Sequence, residues 1–248
     1  MTRQRSTDPA RRLRWMHDQL EHAYGPQHWW PAQTPIEVIL GAYLTQNTSW
    51  KAVELSLANL RSAGALTVAG LRALSVEQLQ KLIRPSGFYS RKAPAIKAFI
   101  AMLDAEFEGS LSQLAQTPTA DLRNRLLSLP GVGPETADAI QLYALSHPVP
   151  VADEYLRRIA VRHGLLDPAP GKNRKGYAAL VQLTRNAFAS DPDANHAQLF
   201  NDFHALTVAV GKACCRKTAD CDHCPLVADL QQSQAPRSKL TRSKSIPK

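Results

Sequence analysis

The sequence contains no apolar run of about 18 residues, so a membrane-spanning helix is not expected. Its start, Met1-Thr-Arg-Gln-Arg-Ser-Thr-Asp, leads into further arginines rather than an apolar stretch, which argues against a secretory signal. Alternation of apolar and polar residues of the kind strands need is scarce, and no internal repeat recurs at a fixed period. Cysteine is missing from nearly the whole chain. All four cysteines fall between Cys214 and Cys224, which reads as a ligand cluster rather than a disulfide framework and points to a reducing, cytoplasmic compartment. What remains is ordinary globular composition: 248 residues with 44% hydrophobic and 21% charged side chains, enough for one large domain or two smaller interlocked ones.

Acidic residues are absent from 231–248, where Arg237, Lys239, Arg242, Lys244 and Lys248 give +5. Residues 1–14 add +4, from Arg3, Arg5, Arg11, Arg12 and Arg14 against Asp8. The whole chain carries +9, so residues 15–230 are neutral on balance. A pI of about 9.6 favours a polyanionic partner. A nucleic-acid surface in the neutral middle then needs charge gathered on one face, or uncharged phosphate contacts. The basic tails taken alone serve solubility equally well, and the tail after about residue 231 reads as disordered.

Apolar residues at spacings of three and four run through 36–62, 68–84, 90–107, 119–128, 134–146, 153–164, 173–189 and 195–213. The pattern predicts an all-α chain. Gly- and Pro-rich punctuation separates the segments at Gly25-Pro26, Pro85-Ser86-Gly87, 129–134, 147–150 and 167–171.

The stretch Leu129-Pro-Gly-Val-Gly-Pro-Glu-Thr-Ala-Asp-Ala-Ile140 reads as a helix end, a Gly-x-Gly turn and a second helix opening at Pro134. Proline suits a first helical position because its missing N–H would have no intrahelical partner. The glycines Gly131 and Gly133 permit unusual backbone angles and leave amides bare, which suits a phosphate oxygen. Such contacts position a protein on DNA without reading its sequence. A plain tight turn between packed helices accounts for Gly-x-Gly equally well. About twenty residues further on comes Val151-Ala-Asp153-Glu-Tyr-Leu-Arg-Arg-Ile, with an aspartate opening a new helix.

Together with Leu44-Thr-Gln-Asn-Thr-Ser-Trp50, Gly87-Phe-Tyr-Ser-Arg-Lys-Ala93 and the cysteine cluster, these motifs resemble the helix–hairpin–helix DNA glycosylases of the endonuclease III superfamily over roughly residues 30–226. Tyr24-Gly25, Trp29-Trp30-Pro31, Ile39-Leu-Gly-Ala-Tyr-Leu44 and Glu135-Thr-Ala-Asp-Ala-Ile are most similar to its 3-methyladenine glycosylase branch. The resemblance implies two helical domains. A six-helix domain near 36–147 ends in the hairpin. Residues 1–35 and 148–230 form the second, with a cleft for double-stranded DNA carrying a damaged base and a basic tail at 231–248. It also implies a monomer.

The implied activity is release of alkylated purines in base excision repair. Alternatives within the superfamily are oxidised pyrimidines or mismatched bases, and outside it a catalytically inactive DNA-binding protein. Bifunctional members carry a lysine just after the hairpin, whose amine forms an imine with the sugar. Glu135 occupies that position and cannot form one, so Schiff-base lyase chemistry is not expected. By resemblance Asp153 is the catalytic carboxylate. Trp30, Trp50 and Glu135 line the base pocket, Gln46 fills the space left by an extruded nucleotide, and Phe88 wedges into the opposite strand.

The family's iron–sulfur pattern is Cys-x6-Cys-x2-Cys-x5-Cys. Cys214, Cys221 and Cys224 match its first three positions, Leu230 stands at the fourth, and Cys215 is extra. A [4Fe–4S] cluster on all four cysteines, a cluster with a non-cysteine ligand, zinc, or no metal are all open on this pattern.

Overall fold

A computed structural model describes residues 7–27, 32–191 and 196–230. Among them the regular structure is helical throughout, with no strand. In chain order the helices are α1 (Pro9–Tyr24), α2 (Pro35–Leu44), α3 (Trp50–Ser62), α4 (Val68–Ala73), α5 (Val76–Leu82) and α6 (Tyr89–Phe107). They continue with α7 (Leu111–Ala115), α8 (Thr119–Leu127), α9 (Pro134–Ala139), α10 (Glu154–His163), α11 (Arg174–Phe188), α12 (His196–Ala213) and α13 (Val227–Leu230). A 3-10 turn spans Arg84–Ser86 and a π turn spans Ile140–Ala144. No helix among the described residues is long and apolar enough to cross a membrane.

Short polar side chains start several of these helices by accepting from first-turn amides that have no partner inside the helix. Asp8 accepts from Ala10 N at 3.0 Å, and Asn173 from Gly176 N at 2.9 Å. Ser75 and Gln78 cap α5 reciprocally.

The chain divides into two compact units: one holds the described residues of His28–Val151 and Asp193–Asp202, and the other those of Met1–Gln27, Ala152–Pro192 and Phe203–Lys248. The first is organised around α2, which is apolar on all sides and buried from Ile36 to Leu44. It packs on α3, α6, α9 and the π turn, and Tyr43 meets Phe99 edge-on with ring centroids 6.3 Å apart. Its one acid, Glu37, is buried and ion-paired with Arg61.

Three expected helical segments are interrupted. The 68–84 segment splits into α4 and α5 at the extended Leu74 and Ser75. The periodicity over 36–62 runs on unbroken, yet α2 stops at Leu44, Asn47 takes a left-handed conformation (φ 53°), and α3 starts at Trp50. The 134–146 segment begins as α9 and widens into the π turn, closed by His147 N donating to Gln141 O at 2.9 Å.

In the second unit α1 packs along α11, and His17, Phe188 and Phe203 form an aromatic cluster with centroids 5.2–6.1 Å apart. A Cβ on Gly211 of α12 would lie 2.1 Å from the Tyr155 ring of α10, so only glycine allows that approach. The C-terminal segment is tied down by a buried ionic cluster. Asp229 accepts from Arg12 Nε and Nη2 at 3.0 and 2.6 Å and pairs with His163 Nδ1 at 2.8 Å. Burial works to raise the Asp229 carboxyl, but the bonds from His163 and Arg12 outweigh it and bring the group down to about 2.

Candidate active site

The hairpin lies in the first unit. Helix α8 ends at Ser128, and the turn passes through Gly131 at φ 74°, where a Cβ would also crowd Ala95 Cβ at 3.2 Å. Gly133 is extended and caps α9 without a side chain, and Pro134 supplies the first residue. Val132 points inward and is buried, whereas Gly131 and Glu135 are exposed. The turn is thus anchored by one apolar side chain and presents backbone outward.

Gln46 docks onto this turn. Its Nε2 donates to Gly131 O at 3.1 Å and to Thr136 Oγ1 at 3.0 Å, bringing two of the sequence-derived positions together. Trp50 is half-buried in the first turn of α3. Phe88 stands at the start of α6 in the left-handed region (φ 47°, ψ 25°) and is 58% exposed. A bulky residue in that conformation costs roughly 1–2 kcal/mol, and an exposed aromatic ring recovers little of it through burial. Such a residue is a candidate for function. Trp30 lies outside the described residues, as do the residues of 1–6 and 231–248 that supply most of the basic tails.

In the second unit Asp153 caps α10, with Oδ1 accepting from Leu156 N at 2.9 Å. Its Oδ2 lies 3.4 Å from Nε2 of the buried His204, and the side chain is 11% exposed. Asp153 therefore has a capping role through one oxygen and keeps the other facing an imidazole. The adjacent Glu154 is drawn away by Arg157 at 2.7 and 2.8 Å and by Lys172 at 3.2 Å. The Arg157 bonds, helped by Lys172 and opposed by burial, lower its carboxyl to about 2. His204 was not legible beforehand: it sits on α12, about fifty residues beyond Asp153, with no motif around it.

Cys214, Cys215, Cys221 and Cys224 line one small cavity with Arg162, His163, Leu226 and Leu230. Arg162 Nη1 donates to Cys215 Sγ, and the Tyr24 hydroxyl lies 4.0 Å from Cys214 Sγ. Burial pushes the Cys224 thiol up to about 12, favouring the protonated form. Among the described residues no group of three or more His, Cys, Asp or Glu side chains is arranged to hold a metal ion. With Leu230 at the fourth family position, four thiolates for such a cluster would have to come from Cys214, Cys215, Cys221 and Cys224 together, and the hydrogen bond from Arg162 to Cys215 Sγ is compatible with a thiolate there.

A helical hairpin with a glycine turn, a left-handed exposed aromatic and a helix-capping aspartate are the features that the resemblance to helix–hairpin–helix DNA glycosylases leads one to expect. Residues 40–182 match the model of the HhH-GPD superfamily of base excision DNA repair proteins, and the chain belongs to that family. A Methanocaldococcus jannaschii protein named as a DNA repair glycosylase is 38% identical over 205 residues, 82% of this chain and 88% of that one. A thymine/uracil-DNA glycosylase of Pyrobaculum aerophilum is 30% identical over 205 residues, 82% of each chain. Among solved structures, the 3-methyladenine DNA glycosylase of H. pylori bound to 1,N6-ethenoadenine is 28% identical, with a TM-score of 0.67 over 83% of this chain and 98% of that one. DNA is accordingly the polymer acted on, and base excision the class of reaction.

Proposed function

We propose that the protein is a monofunctional DNA glycosylase releasing alkylated purines, with Asp153 as its catalytic carboxylate. The observation that carries the monofunctional part is Glu135, an exposed carboxylate where a lyase needs an amine. The substrate class is supported by the motifs shared with the 3-methyladenine branch and by the likeness to the H. pylori enzyme.

Chemistry on a base requires its nucleotide to leave the stack, at a cost of a few kcal/mol. Exposed Phe88 is suited to wedging between bases, and the Gln46 amide to filling the vacated space. Insertion of Gln46 exchanges its two hydrogen bonds to the hairpin for contacts in the duplex, at about 1 kcal/mol each. The outward backbone of Gly131 and Gly133 takes phosphate oxygens. Trp50, with Trp30, offers indole faces to the base. A cationic 3-alkylpurine gains about 0.5–2 kcal/mol there, and exposed Glu135 favours the same charge.

Such a base departs neutral, so no strong general acid is required. Asp153 stabilises the positive charge that develops on the sugar and accepts the proton of the water that adds to it. No step runs through the cysteine cavity.

Duplexes carrying 3-methyladenine, 7-methylguanine, thymine glycol, a G·T mismatch or an abasic site separate the readings. Free alkylpurine without strand nicking is the expected result. The relative from P. aerophilum favours a second reading, mismatched thymine or uracil, and release from the G·T duplex alone would establish it in place of the first.

A further inference from the structure

Lys92 lies in the first turn of α6 and is only 5% exposed, and among the described residues its ammonium has carbonyl partners and no ion-paired carboxylate. Its ammonium donates to Leu44 O and Ser86 O, each at 2.8 Å. Leu44 ends α2, where carbonyls have no intrahelical partner and a cation is favoured. Ser86 ends the 3-10 turn. Each of these carbonyls lies two residues before a proposed DNA-contacting side chain, Gln46 on one segment and Phe88 on the other. Both segments then enter the left-handed region, at Asn47 (φ 53°) and Phe88 (φ 47°). The Phe88 ring itself sits with its centroid 6.0 Å from the ammonium. A single buried donor therefore joins two strained loops at matching offsets.

We propose that Lys92 is a positioning residue that sets the separation of Gln46 and Phe88, so that plug and wedge enter a duplex as one rigid pair. This rests on the DNA-contacting roles given to those two residues above. The physical basis is that base steps tolerate little misplacement of an intercalating group. Two loops held by one point charge move together or not at all. An apolar side chain at 92 would leave two buried carbonyls unpaired and free the loops from each other.

Lys97, one helical turn further along α6, provides an internal control. Its ammonium donates to Leu71 O, Arg72 O and Leu74 O at 2.8–3.0 Å, capping the end of α4, which carries no proposed DNA contact. The test compares Lys92→Met with Lys97→Met in the full chain. Amide hydrogen exchange is read over residues 45–48 and 86–89. Insertion is read by the fluorescence of 2-aminopurine beside a tetrahydrofuran abasic analogue in a duplex. Lys92→Met is expected to speed exchange in both segments together by roughly tenfold or more and to lower the insertion rate similarly. Lys97→Met should leave both readouts unchanged whatever it does to the melting temperature.

Unchanged exchange in either segment of Lys92→Met, or an equal loss of insertion in Lys97→Met, overturns the proposal. Should Lys92→Met not fold, Lys92→Arg keeps a donor for both carbonyls. It is expected to retain protection and insertion together, and insertion that survives with both segments unprotected overturns the proposal. If Gln46→Ala and Phe88→Ala do not affect insertion, the DNA-contacting roles fail. The exchange result still reports on Lys92 alone.

Discussion

Replacing Asp229 with asparagine removes one negative charge from a site that is 3% exposed and keeps its shape. The carboxylate accepts from two nitrogens of Arg12 and pairs with the buried His163, while Arg12 Nη2 also donates to His163 O at 2.7 Å. In the variant the guanidinium is left without its counter-charge in a largely desolvated place. Breaking one side of a buried pair costs about 3–5 kcal/mol. An independent figure comes from the carboxyl itself, lowered to about 2 in the fold against about 3.9 unfolded, which corresponds to roughly 2–3 kcal/mol.

The two bracket a loss near 3 kcal/mol, or a fall in melting temperature on the order of 10 °C. The sign of the pH dependence follows from the lowered value. A carboxyl lowered by folding stabilises above its unfolded pKa and stops doing so as pH falls through the folded one. The gap between wild type and Asp229→Asn should hold steady from pH 8 to 5 and narrow from about pH 4 towards 2. Thermal melting across that range, with hydrogen exchange over α13, makes the measurement. A loss under 1 kcal/mol at pH 7, or a gap that grows on acidification, would refute the assignment of this cluster as the clasp of the C-terminal segment.

The remaining expectations concern the site. An abasic duplex treated with borohydride should give no covalent adduct with the wild-type protein, and an adduct would overturn the role read from Glu135. Glu135→Gln should slow release of cationic alkylpurines more than release of neutral lesions, checked by single-turnover rates on paired substrates. Treatment with a chelator should lower the melting temperature by less than Asp229→Asn does, because Arg12, His163 and Asp229 tie down the C-terminal segment through contacts separate from the cysteines. A fall equal to or larger than that of the variant, with iron or zinc in the eluate, would contradict that.

How much of this could be read beforehand differs by residue. The hairpin was legible because Gly131, Gly133 and Pro134 have conformational preferences that act within a few residues. The helix opened by Asp153 was legible for the same reason, as a first-turn acid is a local signal. The stop at Leu44 was not. The apolar period runs straight through it, and the carbonyl left at its end is taken by a buried lysine 48 residues away along the chain. Read alone, Lys92 in its sequence is an ordinary surface cation near a helix start. Arg12 and Asp229 are 217 residues apart, and a helix period says which face is buried but not what it meets. His204 beside Asp153 is the same case. The motif residues therefore marked where chemistry is expected, and the side chains holding them emerged only from tertiary packing.

In the proposed chemistry Asp153 alone drives base loss, while the hairpin, Gln46 and Phe88 grip the DNA. Single-turnover release of 3-methyladenine by Asp153→Asn, measured beside the variant's affinity for a tetrahydrofuran-containing duplex, addresses it most directly. The asparagine keeps an oxygen to cap α10, so the fold and the affinity should persist while the rate falls by about a hundredfold or more. Release at the wild-type rate, or affinity lost in step with activity, would contradict it.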